Sequence, residues 1–314
     1  SMQSLNKTLQ ELMRGQNIAN NIQQTMKQVY ADKDVQTFLN ENRDRLSKEA
    51  IKRGQSKLYE FFHEKQLIEK GVPTVAPGYS PQLVISAGQI DVTYVPTKQL
   101  LERQRQRYIQ RLVNSINMPK FIKNASYDDY YLNEDTQTDT RTKAIQAAMD
   151  FTDNYQKGEF QPGLYLYGQF GVGKTYLLGA IANELAKSKG VATTMVHFPS
   201  FAVEMRNSIK QNNTGEKLDA IKRAPILMLD DIGAGAMTTW VRDDILGVIL
   251  EYRMQEELPT FFSSNFSMDE LQNNHLAINA QGDNEPLKAA RIMERIKYLS
   301  REIEMEGKNL RDKG

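Results

Sequence analysis

Residues 164–175 read LYLYGQFGVGKT, an apolar run feeding a glycine-rich loop that ends in Lys-Thr. A buried strand is expected over 164–167. A helix is expected after Thr175, where Leu177, Leu178, Ile181 and Leu185 recur at helical spacing until Gly190. Strand, loop and helix are the context that the phosphate-binding pattern G-x-x-x-x-G-K-[ST] demands. Gly168, Gln169, Phe170, Gly171, Val172, Gly173, Lys174, Thr175 and Tyr176 are therefore the expected nucleotide cradle. Glycines let backbone N–H groups curl around phosphates, and the helix N-terminus adds its positive end. Lys174 would neutralise β/γ-phosphate charge, and the Thr175 hydroxyl would face Mg²⁺. The cofactors implied are ATP or ADP with Mg²⁺.

Further along, ILMLDD at 226–231 reads as a buried strand that ends in two carboxylates. A strand with an acid at its C-terminal edge is where a metal-binding carboxylate must sit to reach a P-loop. Asp230 is assigned to the Mg²⁺ shell, and Asp231 to polarising the attacking water. A strand at 193–197 lies between the two motifs. A third strand, PTFFSSNF, ends at Ser263, Ser264 and Asn265. Asn265 either reaches the γ-phosphate or forms a turn. Ser267 with Glu270 makes a capping box that explains part of this polarity without function. Pro286 opens a helix with Leu287, Ile292 and Ile296 as its apolar set. A strand with Ile303 and Met305 follows.

Composition narrows the remaining classes. The 314 residues suffice for one large domain or two modest ones. No apolar run approaches bilayer length, so no membrane partner is expected. The N-terminus is polar where a signal peptide needs an apolar core, and Ser1 ahead of Met2 reads as an expression remnant. With no cysteine and three scattered histidines, disulfides, thiol catalysis and a zinc site are not expected. A cytoplasmic location follows. The net charge of +1 says little about partners, so any nucleic-acid surface must be local.

The first half reads as mostly helical. Leu5, Leu9, Leu12, Ile18, Ile22 and Met26 recur at helical spacing, as core positions or as a grip on another protein. Asp34 is expected to cap a helix carrying Val35, Phe38, Leu39 and Leu46 that stops near Gly54. Ser56 is expected to cap the next, with Leu58, Phe61, Phe62 and Ile68 apolar and Gly71 as its stop. Pro73, Pro77 and Pro81 break regularity, and a β-hairpin is expected over 83–95. From Arg103 to Arg111 four arginines occur without an acid: Arg103, Arg105, Arg107 and Arg111. Either this is a nucleic-acid or partner contact, or it is a solvated helix face. Pro119 and an acidic stretch through Glu134, Asp135 and Asp139 then suggest a linker over 118–140. It would separate an N-terminal domain at 1–117 from an ATPase domain at 141–314.

GQFGVGKT, LMLDDIG, WVRDDILGVILEYRMQEELPTFFSSNF and ARIMERI together resemble the AAA+ helicase loaders of bacterial replication, the DnaC/DnaI/IstB-like family. The resemblance covers roughly residue 118 onward with high specificity. It implies a doubly wound α/β P-loop AAA+ ATPase domain without a helical lid, preceded by a smaller mostly helical domain with a hairpin. It further implies MgATP hydrolysis, binding of single-stranded DNA, and loading of the hexameric replicative DNA helicase alongside other primosome proteins. Lys174 and Thr175 then fall on Walker A, Asp230 and Asp231 on Walker B, and Asn265 on sensor 1. Arg295 falls on the arginine finger, with Arg291 as second candidate, so self-assembly through the ATP site is implied.

The sequence departs from the family in two places. The chain ends soon after Gly307, leaving no expected lid or duplex-reading helix-turn-helix, and some relatives' N-terminal zinc module has no cysteines here. In FPSFAVEMRNSIKQ, Phe198, Phe201, Arg206 and Lys210 suit single-stranded DNA, although the phenylalanines are equally core candidates. A transposition helper and a small-molecule P-loop kinase are the alternative functions.

Overall fold

The computed structural model describes residues 2–131, 139–235 and 237–307. The chain forms two compact units that divide between Arg105 and Gln106.

In the first unit, α1 (Met2–Ala31), α2 (Lys33–Glu41), α3 (Lys48–Arg53) and α4 (Gln55–Glu69) precede the antiparallel pair β1 (Tyr79–Ser86) and β2 (Gln89–Pro96). Val29, Val35, Leu46, Leu58, Phe61, Leu83 and Ile90 form the core. The hairpin turns through Ala87 and Gly88, both at positive φ (52° and 75°), which matches the right-handed strand twist. At Gly54 a Cβ would lie 2.8 Å from the Ile90 side chain, so the helix start and β2 meet through a missing side chain.

Several expected details of this unit differ. Asp32, not Asp34, caps α2, accepting from the N–H of Asp34 and Val35. That helix stops at Glu41, and Ser47 caps a separate α3. Gly54, not Ser56, precedes α4, because Gly54 already ends α3 and leaves no room for a cap two residues later. Pro81 lies inside β1. Leu9 and Leu12, read as core positions or as a grip on another protein, are 49% and 64% exposed and so are not core. Helical spacing alone cannot supply a surface for a stripe to pack against.

Helix α5 (Lys98–Leu112) crosses the division and has no buried residue. In the second unit, β3 (Val113–Ile116) leads to a 3₁₀ turn (Lys120–Asn124), α6 (Asp128–Tyr131) and α7 (Asp139–Asn154). Then follow β4 (Gly163–Tyr167), α8 (Lys174–Lys189), β5 (Thr193–His197), α9 (Phe198–Gln211), α10 (Thr214–Lys222) and β6 (Ile226–Asp230). A π-helical turn (Val241–Leu246) runs into α11 (Gly247–Gln255), followed by β7 (Thr260–Ser264) and α12 (Met268–Glu270). After a second π-helical turn (Leu271–Leu276) come α13 (Pro286–Leu299) and β8 (Ser300–Glu304).

The six strands pair in the order β3-β5-β6-β7-β4-β8, every pair parallel. Side chains alternate between two cores. Leu164 and Leu166 face α7 and α8, whereas Tyr165 packs with residues of α9, α11 and α13. Helices on both faces make this the doubly wound α/β sheet that was expected.

The segment read as a linker packs into this unit. Ile122 and Ala125 are each 2% exposed and belong to the core under α8. Asn183 Nδ2 donates to both of their carbonyl oxygens at 2.8 Å. Glu134 and Asp135 lie outside the described residues. Leu287, expected to be apolar core, is 84% exposed; Ile292 and Ile296 are buried as expected.

Candidate nucleotide site

The C-terminal ends of β4, β5, β6 and β7 open onto one cavity of about 680 Å³. The P-loop crosses it between β4 and α8. Gly168, Gly171 and Gly173 all hold positive φ (155°, 82° and 97°). At Gly168 a Cβ would lie 2.0 Å from the Met305 carbonyl oxygen. Val172 anchors the loop from below with its side chain fully buried, while its carbonyl accepts from the Arg141 guanidinium.

Lys174 begins α8 and turns back over the loop. Its Nζ donates to the carbonyls of Gly168 (2.7 Å) and Gln169 (2.8 Å), and to Asn265 Oδ1 at 3.2 Å. The last contact joins the P-loop to the end of β7. Burial pushes the Lys174 pKa down to about 8, opposed by the charges of Asp231 and Asp230.

At the end of β6, Asp230 is 4% exposed. Its Oδ1 accepts from Thr175 Oγ1 at 2.8 Å and from Ser263 Oγ at 2.6 Å. Burial raises its pKa, and those two hydrogen bonds work against the rise. Asp231 follows at φ 62°, a left-handed backbone that swings its carboxylate out of the strand direction. Its N–H donates to Ser263 Oγ at 2.8 Å. Its Oδ2 lies 3.4 Å from Nε2 of His197, whose Nδ1 is 2.8 Å from Ser200 Oγ.

The far wall of the cavity includes Asn117, Met118, Pro119 and Phe121, with Phe170 and Tyr176 from the loop side. The Tyr176 hydroxyl accepts from the Ser126 N–H at 3.1 Å and donates to the Asp129 carboxylate. Its ring lies 5.9 Å from that of Phe121. A flat apolar wall beside a phosphate cradle is suited to a base.

The cavity thus gathers Lys174, Thr175, Tyr176, Asp230, Asp231, Asn265 and the loop residues Phe170, Gly171 and Gly173. Arg295 is not among its lining residues. Its Nη1 donates to the Gly247 carbonyl at 2.8 Å, and its Nη2 lies 3.6 Å from Glu251 Oε2. Arg291 is exposed. Phe198 and Phe201 are each 2% exposed, so neither is available for stacking on a base; Arg206 and Lys210 are exposed. Sequence reasoning missed the 117–121 wall because Asn-Met-Pro reads as a linker. His197, one of three scattered histidines, carries no pattern at a strand end that would place it beside Asp231.

The arrangement has known counterparts. The family model for the N-terminus of the primosomal protein DnaI matches residues 2–94, and the model for IstB-like ATP binding proteins matches residues 82–314. The replicative helicase loader DnaI of Bacillus subtilis (strain 168) is 38% identical over 317 residues, covering 99% of each chain. The chain belongs to the DnaI family.

A crystal structure of DnaI is 49% identical, covers 62% of this chain and 98% of its own, and superposes with a TM-score of 0.56. The DnaC helicase loader, at 21% identity with a TM-score of 0.50, covers 60% of this chain and 100% of its own, and shares the fold. In this DnaI-family chain the second unit is therefore an ATP-binding AAA+ domain. Among the described residues, no helix is long and apolar enough to cross a membrane.

Proposed function

We propose that this chain is an ATP-switched loader that binds the replicative DNA helicase and single-stranded DNA and delivers the helicase ring to DNA. The observation that carries the ATPase part is the junction at Thr175, Asp230 and Ser263, where a P-loop hydroxyl and a Walker B carboxylate meet at 2.8 Å. Full-length similarity to a protein named as a replicative helicase loader supports the rest.

The donor set is hard oxygen, from one hydroxyl and one buried carboxylate, which fits Mg²⁺. Thr175 and Asp230 would hold it, and it would supply neutralising charge at the β- and γ-phosphates. Lys174 exchanges its loop carbonyls for phosphate oxygens. Asn265, already within reach of Lys174, orients the γ-phosphate or the attacking water. Asp231 draws a proton from that water as its oxygen bonds to the γ-phosphorus. The bond from phosphorus to the β-bridging oxygen breaks, and ADP leaves with that electron pair. His197 fixes the Asp231 carboxylate through the 3.4 Å contact.

Arg295 or Arg291 would serve a neighbour's γ-phosphate in an assembled state. Arg295 must first leave Gly247 and Glu251, whereas Arg291 is already exposed. Arg206 and Lys210 on α9 supply cations for DNA. The first unit carries the helicase contact, with other primosome proteins as further partners in the cytoplasm.

A second reading, a transposition helper, draws on the IstB-like match over residues 82–314. The match of residues 2–94 to the DnaI N-terminus weighs against it. Gel filtration of the chain with the replicative helicase hexamer, with and without ATP, tests the proposal. Co-elution, together with ATP turnover stimulated by single-stranded DNA, is expected. Turnover without any helicase binding would sink the loader reading.

A further inference from the structure

Helix α5 has features that neither the nucleotide site nor the sheet explains. It runs for 15 residues with none buried. It carries Lys98, Arg103, Arg105, Arg107 and Arg111 against one acid, Glu102. None of the four arginines has an ion pair or side-chain hydrogen bond among the described residues.

Arg103, Arg107 and Arg111 recur every four residues. Each step advances about 6 Å along the helix and drifts only about 40° around it, so the three form one stripe. Like charges at this spacing destabilise a helix, and a helix of this length with only Leu100, Ile109 and Leu112 half-buried is marginal. A polyanion laid along the stripe would relieve the repulsion that the sequence builds in.

The stripe's chemistry favours nucleic acid over an acidic protein face. All three positions are arginine, whose planar fork matches phosphate oxygens in pairs. Gln104 and Gln110 flank the stripe with further donors, and Tyr108, 52% exposed, offers a ring face to a base. Lys120 and Lys123 continue the exposed positive charge beyond β3.

We propose that the Arg103/Arg107/Arg111 stripe of α5 is a contact for the phosphates of single-stranded DNA, separate from the basic residues of α9. It rests on the reading of the chain as a DNA-binding loader. The test uses the full chain, a short fluorescent oligo-thymidylate, and anisotropy titrations across a series of salt concentrations. Replacing three arginines that each meet a phosphate with glutamine should lower the slope of log K against log salt by about 2. Affinity at low salt should fall at least about tenfold, with the difference closing as salt rises.

Lys98→Gln/Arg105→Gln, on the other side of the helix, should leave the slope nearly unchanged. Unaltered binding of a fluorescent ATP analogue checks that every variant is folded. A stripe variant that binds ATP and keeps the wild-type slope overturns the proposal. So does one that loses helicase binding while keeping its DNA slope, since the stripe would then serve a protein. If the wild-type chain itself fails to bind the oligonucleotide at low salt, the DNA-binding reading falls, and the stripe with it. If only Arg206→Gln/Lys210→Gln lowers the slope, the DNA-binding reading stands and the stripe does not.

Discussion

Ser263 Oγ donates to Asp230 Oδ1 at 2.6 Å and accepts from the Asp231 N–H at 2.8 Å, so one hydroxyl fixes both acids of the pair. Its oxygen sits at the end of β7, one strand away from the residues it holds. Ser263→Ala leaves a buried carboxylate short of one donor and a partly buried N–H without its acceptor. Stability should fall by about 1–3 kcal/mol, the usual cost of stranding a buried polar group. Urea denaturation measures it. A variant as stable as wild type would mean that water replaces the hydroxyl.

Asp231 and Asp230 should separate by substitution. Asp231→Asn keeps the size and the backbone hydrogen bond but removes the charge proposed to draw a proton from the attacking water. ATP should still bind, while turnover falls by about 10²-fold or more. Stopped-flow binding and phosphate release distinguish the two effects. Loss of binding with no separate turnover defect would move the metal role to Asp231.

Lys174 gives the site a pH dependence whose sign follows from its environment. Burial pushes its pKa down to about 8. Bound phosphates favour the charged ammonium, so its pKa is higher in the complex than in the free chain. Affinity is therefore level below pH 8 and falls as pH rises through that value. A loss of about tenfold between pH 7 and pH 9 is expected for a free-chain pKa near 8. Calorimetric titration of a non-hydrolysable ATP analogue measures it. Lys174→Arg should flatten the curve, because a guanidinium keeps its proton throughout this range.

What the sequence made legible follows from how local each signal is. The P-loop at 168–175 and the Asp230-Asp231 pair were readable because each is local: strand and loop fall within 164–175, and strand and acids within 226–231. Val172 is fully buried, Lys174 opens α8 and folds back onto the loop carbonyls, and Thr175 reaches Asp230. The wall at Asn117–Phe121 was not readable, because it becomes part of the site only when Ile122 docks under α8 some sixty positions away. Leu9 and Leu12 show the converse. Their spacing is right for packing, but periodicity does not report whether a partner surface exists. The cap of α2 moved from Asp34 to Asp32 because both residues suit the role, and only the backbone geometry decides between them.

Gly168 is a position where the backbone leaves no alternative. It holds φ 155°, and a Cβ would lie 2.0 Å from the Met305 carbonyl oxygen. The Met305 N–H in turn donates to the Tyr167 carbonyl at 2.7 Å, so the clash falls on the seam between the P-loop and the end of β8. Gly168→Ala should cost more than about 3 kcal/mol, in the range reserved for overpacking and backbone strain, and should weaken nucleotide binding with it. Gly158→Ala is the control. It also has positive φ, at 87°, but nothing lies within 4 Å of its Cβ, so it should show only the smaller cost of strain.

The last prediction concerns which arginine acts across subunits. Arg295 is held by its own chain, at 2.8 Å from the Gly247 carbonyl and 3.6 Å from Glu251. Four residues earlier, Arg291 is exposed. An arginine acting in trans contributes about 10³–10⁵ in rate in related phosphoryl-transfer sites, and nothing to the nucleotide bound by its own subunit. If Arg295 is that residue, Arg295→Ala should keep the ATP affinity of the monomer and lose the turnover that appears on assembly with DNA or helicase. It should also lose about 1 kcal/mol of stability, because the carbonyl contact goes with it. Mixing decides the matter. Lys174→Ala protein lacks a working site but still offers both arginines, whereas Arg295→Ala protein has a site and offers no finger. Neither should turn over alone, and together they should regain part of the activity. If the mixture shows no rescue once assembly is confirmed, Arg295 acts within its own chain or serves only to tie α13 to α11. The same pairing with Arg291→Ala should then restore turnover.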